Sequence, residues 1–110
     1  MVKFYYLYIE WVIRLSKYSK RAVELFMEGK NCSQAVFAAF APDLGLSEET
    51  ALAVSVGLGG GVGRMREVCG AVSGSAMIVG LKHPELDKTE VYEKGRMIMD
   101  EFKKTNHSIV

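Results

Sequence analysis

Residues 57–74 read GLGGGVGRMREVCGAVSG. Glycine loses more backbone entropy on ordering than any other residue, so a cluster this dense marks bends or close backbone approach. The run predicts a loop and then a helix that starts near Arg66 or Glu67 and ends near Gly80 to Lys82. Within that helix Gly70 and Gly74 lie four apart on one face, with Ala71 and Ser75 beside them. Small side chains at this spacing let another helix come very close, which in a protein core means tight packing of helix on helix.

Working outward, the flanking segments are helical as well. Phe4, Tyr8, Trp11, Leu15, Tyr18, Ala22 and Leu25 are spaced alternately four and three apart, a heptad-like seam. That first helix should end near Gly29, a good residue just past a helix C-terminus. Residues 4–13 are rich in aromatic and β-branched types, which also suits a strand. Helix is favoured because the seam continues into SKRAVELFMEG. Asn31 is the N-cap of a second helix, Cys32 to about Ala41, which Pro42 ends. Ser47, followed by Glu48 and Glu49, caps a third that runs to about Val56. Asp87 with Glu90 three residues on forms a capping box for a fifth, with Leu86 and Val91 as its hydrophobic staple. Val91, Gly95, Ile98 and Phe102 are its inner face, and it should fray into KKTNHSIV.

The expected fold is all-α: a compact bundle of about five helices, with a glycine-rich loop between the third and fourth. Residues 1–110 form one domain, with 1–15 an aromatic and aliphatic N-terminal extension and 16–105 the body. Apolar residues make up 49% and charged residues 25%, enough for a packed core. Fourteen basic residues against 13 acidic give a net charge of +1 spread along the chain, so no nucleic-acid surface is expected. Glu10 and Arg14 break the N-terminal apolar run, and no Ala-x-Ala follows, so neither a signal peptide nor a membrane span is read there. Two cysteines are too few for a secreted disulfide scaffold, and a reducing cytoplasmic setting is the expectation. The extra N-terminal apolar side chains need burial, which a homodimer would supply.

Cys32 and Cys69 both fall at predicted helix starts, where free N–H groups and the helix dipole stabilise an anion such as a thiolate. Arg64 and Arg66 precede Cys69 closely and add positive potential. A free cysteine is also among the most buried residue types and often only packs. The two are 37 positions apart, so no local CxxC motif exists. Two cysteines do not complete a tetrahedral metal site. His83 and His107 stand at no ligand spacing to either, and His83 beside Pro84 reads as a loop residue. A symmetric dimer would bring four thiolates together, enough for zinc or an iron–sulfur cluster shared between subunits. GLGGGVG lacks the GK[ST] ending of a phosphate loop and offers no GxGxxG register, so a nucleotide site is not expected. An anion site from the amides of Gly59, Gly60 and Gly61 with Arg64 and Arg66 stays open. Beside it stands a purely geometric loop that lets helices cross, with Glu67 pairing an arginine.

NCSQAVFAAFAPDLGLSEETALAVSVGLGGGVGRMREVCGAVSG resembles a bacterial and archaeal family of redox-active proteins named for the spaced pattern C…GCAxxG…C…C. The resemblance covers roughly residues 16–105, with NCSQAV, GGGVGRM and VCGAVSG in order. Cys32 matches the first cysteine, Cys69 the cysteine of GCAxxG, and Gly74 its closing glycine. Val68 stands where the pattern has glycine, and Gly70 where it has alanine. The pattern's last two cysteines are absent, and the sequence ends at Asn106-His107-Ser108-Ile109-Val110, so it reads as a short or truncated member without a four-thiol site in one chain. The resemblance implies an all-helical fold and cysteine-based redox or metal chemistry at Cys32 and Cys69, with an unspecified redox partner. The competing reading is a helical interaction module with inert cysteines. Sulfurs that share a cavity would favour the first, and sulfurs buried apart among aliphatic side chains the second.

Overall fold

The structure, a computed structural model, describes residues 17–106 and 108. The question of helix or strand over 4–13, and Phe4, Tyr8, Trp11 and Leu15 of the seam, lie outside these residues. Among these residues there are five α-helices: α1 over residues 17–27, α2 over Cys32–Phe40, α3 over Glu48–Ser55, α4 over Gly70–Lys82 and α5 over Lys88–Asn106. Among the described residues there is no strand.

Local chemistry sets most of the boundaries. Gly29 takes φ 97°, and the Lys30 N–H reaches back to the Leu25 carbonyl at 3.1 Å, closing α1 with a left-handed residue and a six-to-one bond. Asn31 and Gln34 form a reciprocal capping box on α2. Pro42 does not end the path abruptly: α2 stops at Phe40 and tightens into a 3-10 turn, Ala41–Leu44, which left-handed Gly45 closes. The Ser47 hydroxyl accepts the Thr50 N–H at the start of α3, and Asp87 Oδ1 accepts the Glu90 N–H at 2.8 Å at the start of α5. Two expectations are corrected. Helix α4 begins at Gly70 rather than Arg66 or Glu67, because Arg66 has φ 58° and cannot be helical there. Helix α5 does not fray at Lys103 but runs to Asn106; no glycine or proline stops it, and Lys103 and Lys104 favour its C-terminal end.

Helix α2 is the centre of the molecule, packed on both α3 and α4, with α5 leaning on α4. The core is Leu25, Ala35, Phe37, Ala38, Ala41 and Ala51, flanked by Ala22, Leu46, Leu52, Met77, Ile78 and Leu81. The described part of the heptad-like seam is therefore used within the chain. Leu25 is buried, Ala22 packs on the core, and the Tyr18 ring stacks on Phe40 at 4.4 Å. Alanines dominate, so stability depends on backbones approaching closely rather than on large side chains.

Gly70 sets that approach. A Cβ there would lie 2.5 Å from Cys32 Sγ and 2.8 Å from the Ser33 backbone nitrogen. At Gly74 the nearest atom would be the Ser33 carbonyl oxygen at 3.1 Å. Gly80, further along α4, faces open space.

Polar contacts fasten α1 to this core. The Tyr18 hydroxyl donates to Asp43 Oδ2 at 2.6 Å and Lys17 pairs with the same oxygen at 3.2 Å. Arg21 grips Glu48 through Nε at 3.1 Å and Nη2 at 2.6 Å, and also meets Glu24 and Glu28. The Tyr18 hydrogen bond, with help from Lys17, holds the Asp43 carboxyl below its usual range, and the Arg21 fork does the same for Glu48.

Two predictions follow from these contacts. Gly70→Ala should destabilise the fold by about 1–3 kcal/mol, because the Ser33 backbone nitrogen, and not only the Cys32 sulfur, blocks the new methyl. Gly80→Ala should stabilise it by roughly 0.5–1 kcal/mol. Urea unfolding of both variants checks the pair, and equal effects would contradict the packing described. Asp43 and Glu48 titrate lower folded than unfolded, so their contribution is complete above the ordinary carboxylate range, about pH 4, and is lost as pH falls further. The thermal midpoint should drop from about pH 5 to pH 3, with a smaller drop in Glu48→Gln; an unchanged drop would remove Glu48 from the account.

Candidate functional site

The site grows from Asn31. Its Oδ1 accepts the Gln34 N–H at 2.9 Å, capping α2, while its Nδ2 donates to the Val56 carbonyl at 3.0 Å. Gln34 Nε2 donates to the Leu52 carbonyl at 3.0 Å. The start of α2 is thus tied to the end of α3. The chain then passes so close to Asn31 that a Cβ on Gly59 would overlap its carboxamide. This contact leads the glycine loop across the first turn of α2.

The loop is left-handed over Gly60, Gly61, Val62, Gly63 and Arg64, and again at Arg66. Gly61 is doubly constrained: its φ is 75°, and a Cβ would sit 2.5 Å from the Glu67 nitrogen. Internal hydrogen bonds hold the coil. Gly63 N–H donates to the Gly57 carbonyl at 2.8 Å, Arg64 N–H to Gly59 at 3.2 Å, Arg66 N–H to Gly60 at 3.1 Å, and Glu67 N–H to Gly61 at 3.1 Å. These bonds engage the amides of Gly63, Arg64, Arg66 and Glu67 and hold the loop in a fixed coil.

Cys69 is not inside the first turn of α4 but is its N-cap, with no side-chain capping bond. Cys32 is the first residue of α2. Both are free thiols and half-buried. Their meeting point follows from Gly70: the Cys32 sulfur lies over this glycine, the residue that follows Cys69. Ser33 sits beneath, its hydroxyl fully buried and without a hydrogen-bond partner. Such a group costs about 1–3 kcal/mol. The space under Gly70 admits only a small side chain at that position.

A cavity of about 620 Å³ opens here. Cys32, Cys69 and Gly70 line it from the two helix starts, and Gly60, Gly61, Arg64, Arg66 and Glu67 line it from the loop. The sequence-predicted residues converge on it except Gly59, which is buried behind, against Asn31. Glu67 forms no ion pair with either arginine among the described residues, contrary to the pairing expected. The first turns of α2 and α4 contain no acidic residue. Two helix N-termini and two guanidiniums therefore make the cavity electropositive, with Glu67 the one acidic residue among its described lining residues. Asn31 and Gly70 were readable as a cap and as a packing glycine; their joint role in bringing the thiols together was not.

The donor set does not fit a four-ligand metal centre in one chain. Among the described residues no group of three or more histidine, cysteine, aspartate or glutamate side chains could hold a metal. His83 caps the far end of α4, about 20 Å from Cys69 at 1.5 Å per residue, and contacts Glu85 at 3.2 Å. His107 lies outside the described residues. Among the described residues no helix is long and apolar enough to cross a membrane.

The family described as "Putative redox-active protein (C_GCAxxG_C_C)" matches residues 30–110. The chain belongs to this family. The match begins just before the Asn31 cap and takes in the whole cavity, so this member of the C_GCAxxG_C_C family builds its site inside the shared region. No curated protein and no solved structure matches the chain.

Asn31→Ala removes the cap and the tie to Val56 together and should cost about 1–2 kcal/mol. It should also speed alkylation of Cys32 and Cys69 by iodoacetamide as the cavity loosens. Unchanged stability and unchanged alkylation would show that Asn31 does not organise the site.

Proposed function

We propose that Cys32 and Cys69 are a dithiol–disulfide pair that exchanges two electrons with an external disulfide. The observation that carries this reading is the shared cavity: both sulfurs open into it, and Cys32 Sγ lies over the neighbour of Cys69. A packing role would place them apart among aliphatic side chains. The family's redox description supports the same reading.

The reaction balances within these residues and the external disulfide. The Cys69 thiolate, at the open N-terminus of α4, attacks one sulfur of the external S–S bond. That bond breaks, a mixed disulfide forms, and the first small thiolate leaves with the electron pair. The Cys32 thiolate then attacks Cys69 Sγ, and the second small thiolate leaves. Two protein thiols are oxidised, one disulfide is reduced to two thiols, and the two protons lost by the protein thiols end on the two departing thiolates. The reverse sequence would reduce the protein. A cytosolic setting suits it, because free thiols persist there. Dimer formation has its best support in Val23, Phe26 and Met27, exposed together on one face of α1.

The test is intact-mass analysis of the full chain, purified without oxygen and then exposed to oxidised glutathione. The wild type should lose two hydrogens and both titratable thiols while remaining free of adduct. Cys32→Ser should instead stall as a glutathione adduct on Cys69. A wild type carrying two stable adducts, or none with both thiols intact, would refute the pair. Native spectra of the same samples read the subunit number.

A further inference from the structure

Disulfide exchange by itself needs two thiols and an opening, and the cavity contains more than that. Arg64 and Arg66 line it, and their guanidinium groups have no hydrogen bond or ion pair among the described residues. The chain treats Arg21 differently, surrounding it with Glu24, Glu28 and Glu48. Guanidinium groups left open beside a reactive centre are forks that match carboxylates in two-point hydrogen bonds. The cavity's size, about 620 Å³, falls within the range of small-molecule sites and is far too small for a folded partner. Both helix starts that carry the thiols add positive potential at the same place.

We propose that the disulfide exchanged at Cys32 and Cys69 is a small molecule bearing carboxylates, held by Arg64 and Arg66. This inference rests on the dithiol reading above and names its substrate class. The guanidiniums bind the carboxylates before attack, which orients the S–S bond toward Cys69. They also lie beside the negative charge that develops on the departing thiolate. No bond to an arginine forms or breaks, so the exchange is balanced as already written. A neutral or cationic disulfide reaches the same sulfurs but gains neither effect.

The experiment measures second-order rates of the reduced full chain with three probes: dianionic 5,5′-dithiobis(2-nitrobenzoate), neutral 2,2′-dithiodipyridine and dicationic cystamine. Each rate is divided by that of N-acetylcysteine amide, a neutral free thiol, with the same probe. At low salt the normalised rate should be about tenfold higher for the anionic than for the neutral probe, and lowest for the cationic one. Raising NaCl from roughly 20 to 500 mM should collapse that order in the wild type, which needs no variant to fold. Arg64→Gln with Arg66→Gln should slow only the anionic probe, by about tenfold, and lysine at both positions should restore most of the rate. Helix content by circular dichroism checks each variant. Equal normalised rates at low salt, or a glutamine variant that slows all probes alike, would overturn the assignment while leaving the dithiol pair standing. A chain that stays reduced with every probe would overturn both.

Discussion

The structure depends on the contact between two backbones, where α4 passes Ser33 at Gly70 and Gly74. Neither glycine puts a side chain of α4 between the helices at that point. This closeness compensates for a core in which Ala35, Ala38, Ala41 and Ala51 do the packing and only Leu25 and Phe37 are large. Close-packed small residues gain dispersion energy from many short contacts, and they tolerate little intrusion. The same contact fixes the chemistry. Bringing α2 and α4 together at their starts lays the Cys32 sulfur over Gly70 and so beside Cys69. Fold and site are consequences of one missing side chain.

Charge is arranged differently at the two ends of the central helix. At the α1 side, Arg21 is engaged by Glu24, Glu28 and Glu48, and Lys17, Tyr18 and Asp43 form a second cluster. These exposed pairs contribute modestly and orient α1 on the core. At the cavity, Arg64 and Arg66 have no such partners among the described residues, and the adjoining helix starts carry no acidic residue. One end is electrostatically closed; the other is open to a ligand.

Much of the fold was legible because its signals are local. Gly29, Asn31, Ser47 and Asp87 act within a turn of where they stand, and each performs the role its residue type predicts. The start of α4 was not legible. Val62, Arg64 and Arg66 adopt φ values near 60°, which their side chains disfavour, and only the surrounding hydrogen bonds impose them. Those same bonds hold the glycine run in a fixed coil, which a list of glycines does not reveal. The thiols were legible one at a time, each at a helix start. Their convergence across 37 positions was not, because it depends on which helix meets Gly70, and spacing along a chain does not name the partner.

Helix α5 has a different standing from the rest. From Lys88 to Lys104 none of its residues is buried, and it rests on α4, away from the cavity. Its amide hydrogens should therefore exchange with solvent through openings that cost far less than global unfolding. The cavity's supports all lie upstream of it, in α2, α3, the loop and α4. Residues 88–106 can thus vary on their exposed face without touching the residues that line the cavity.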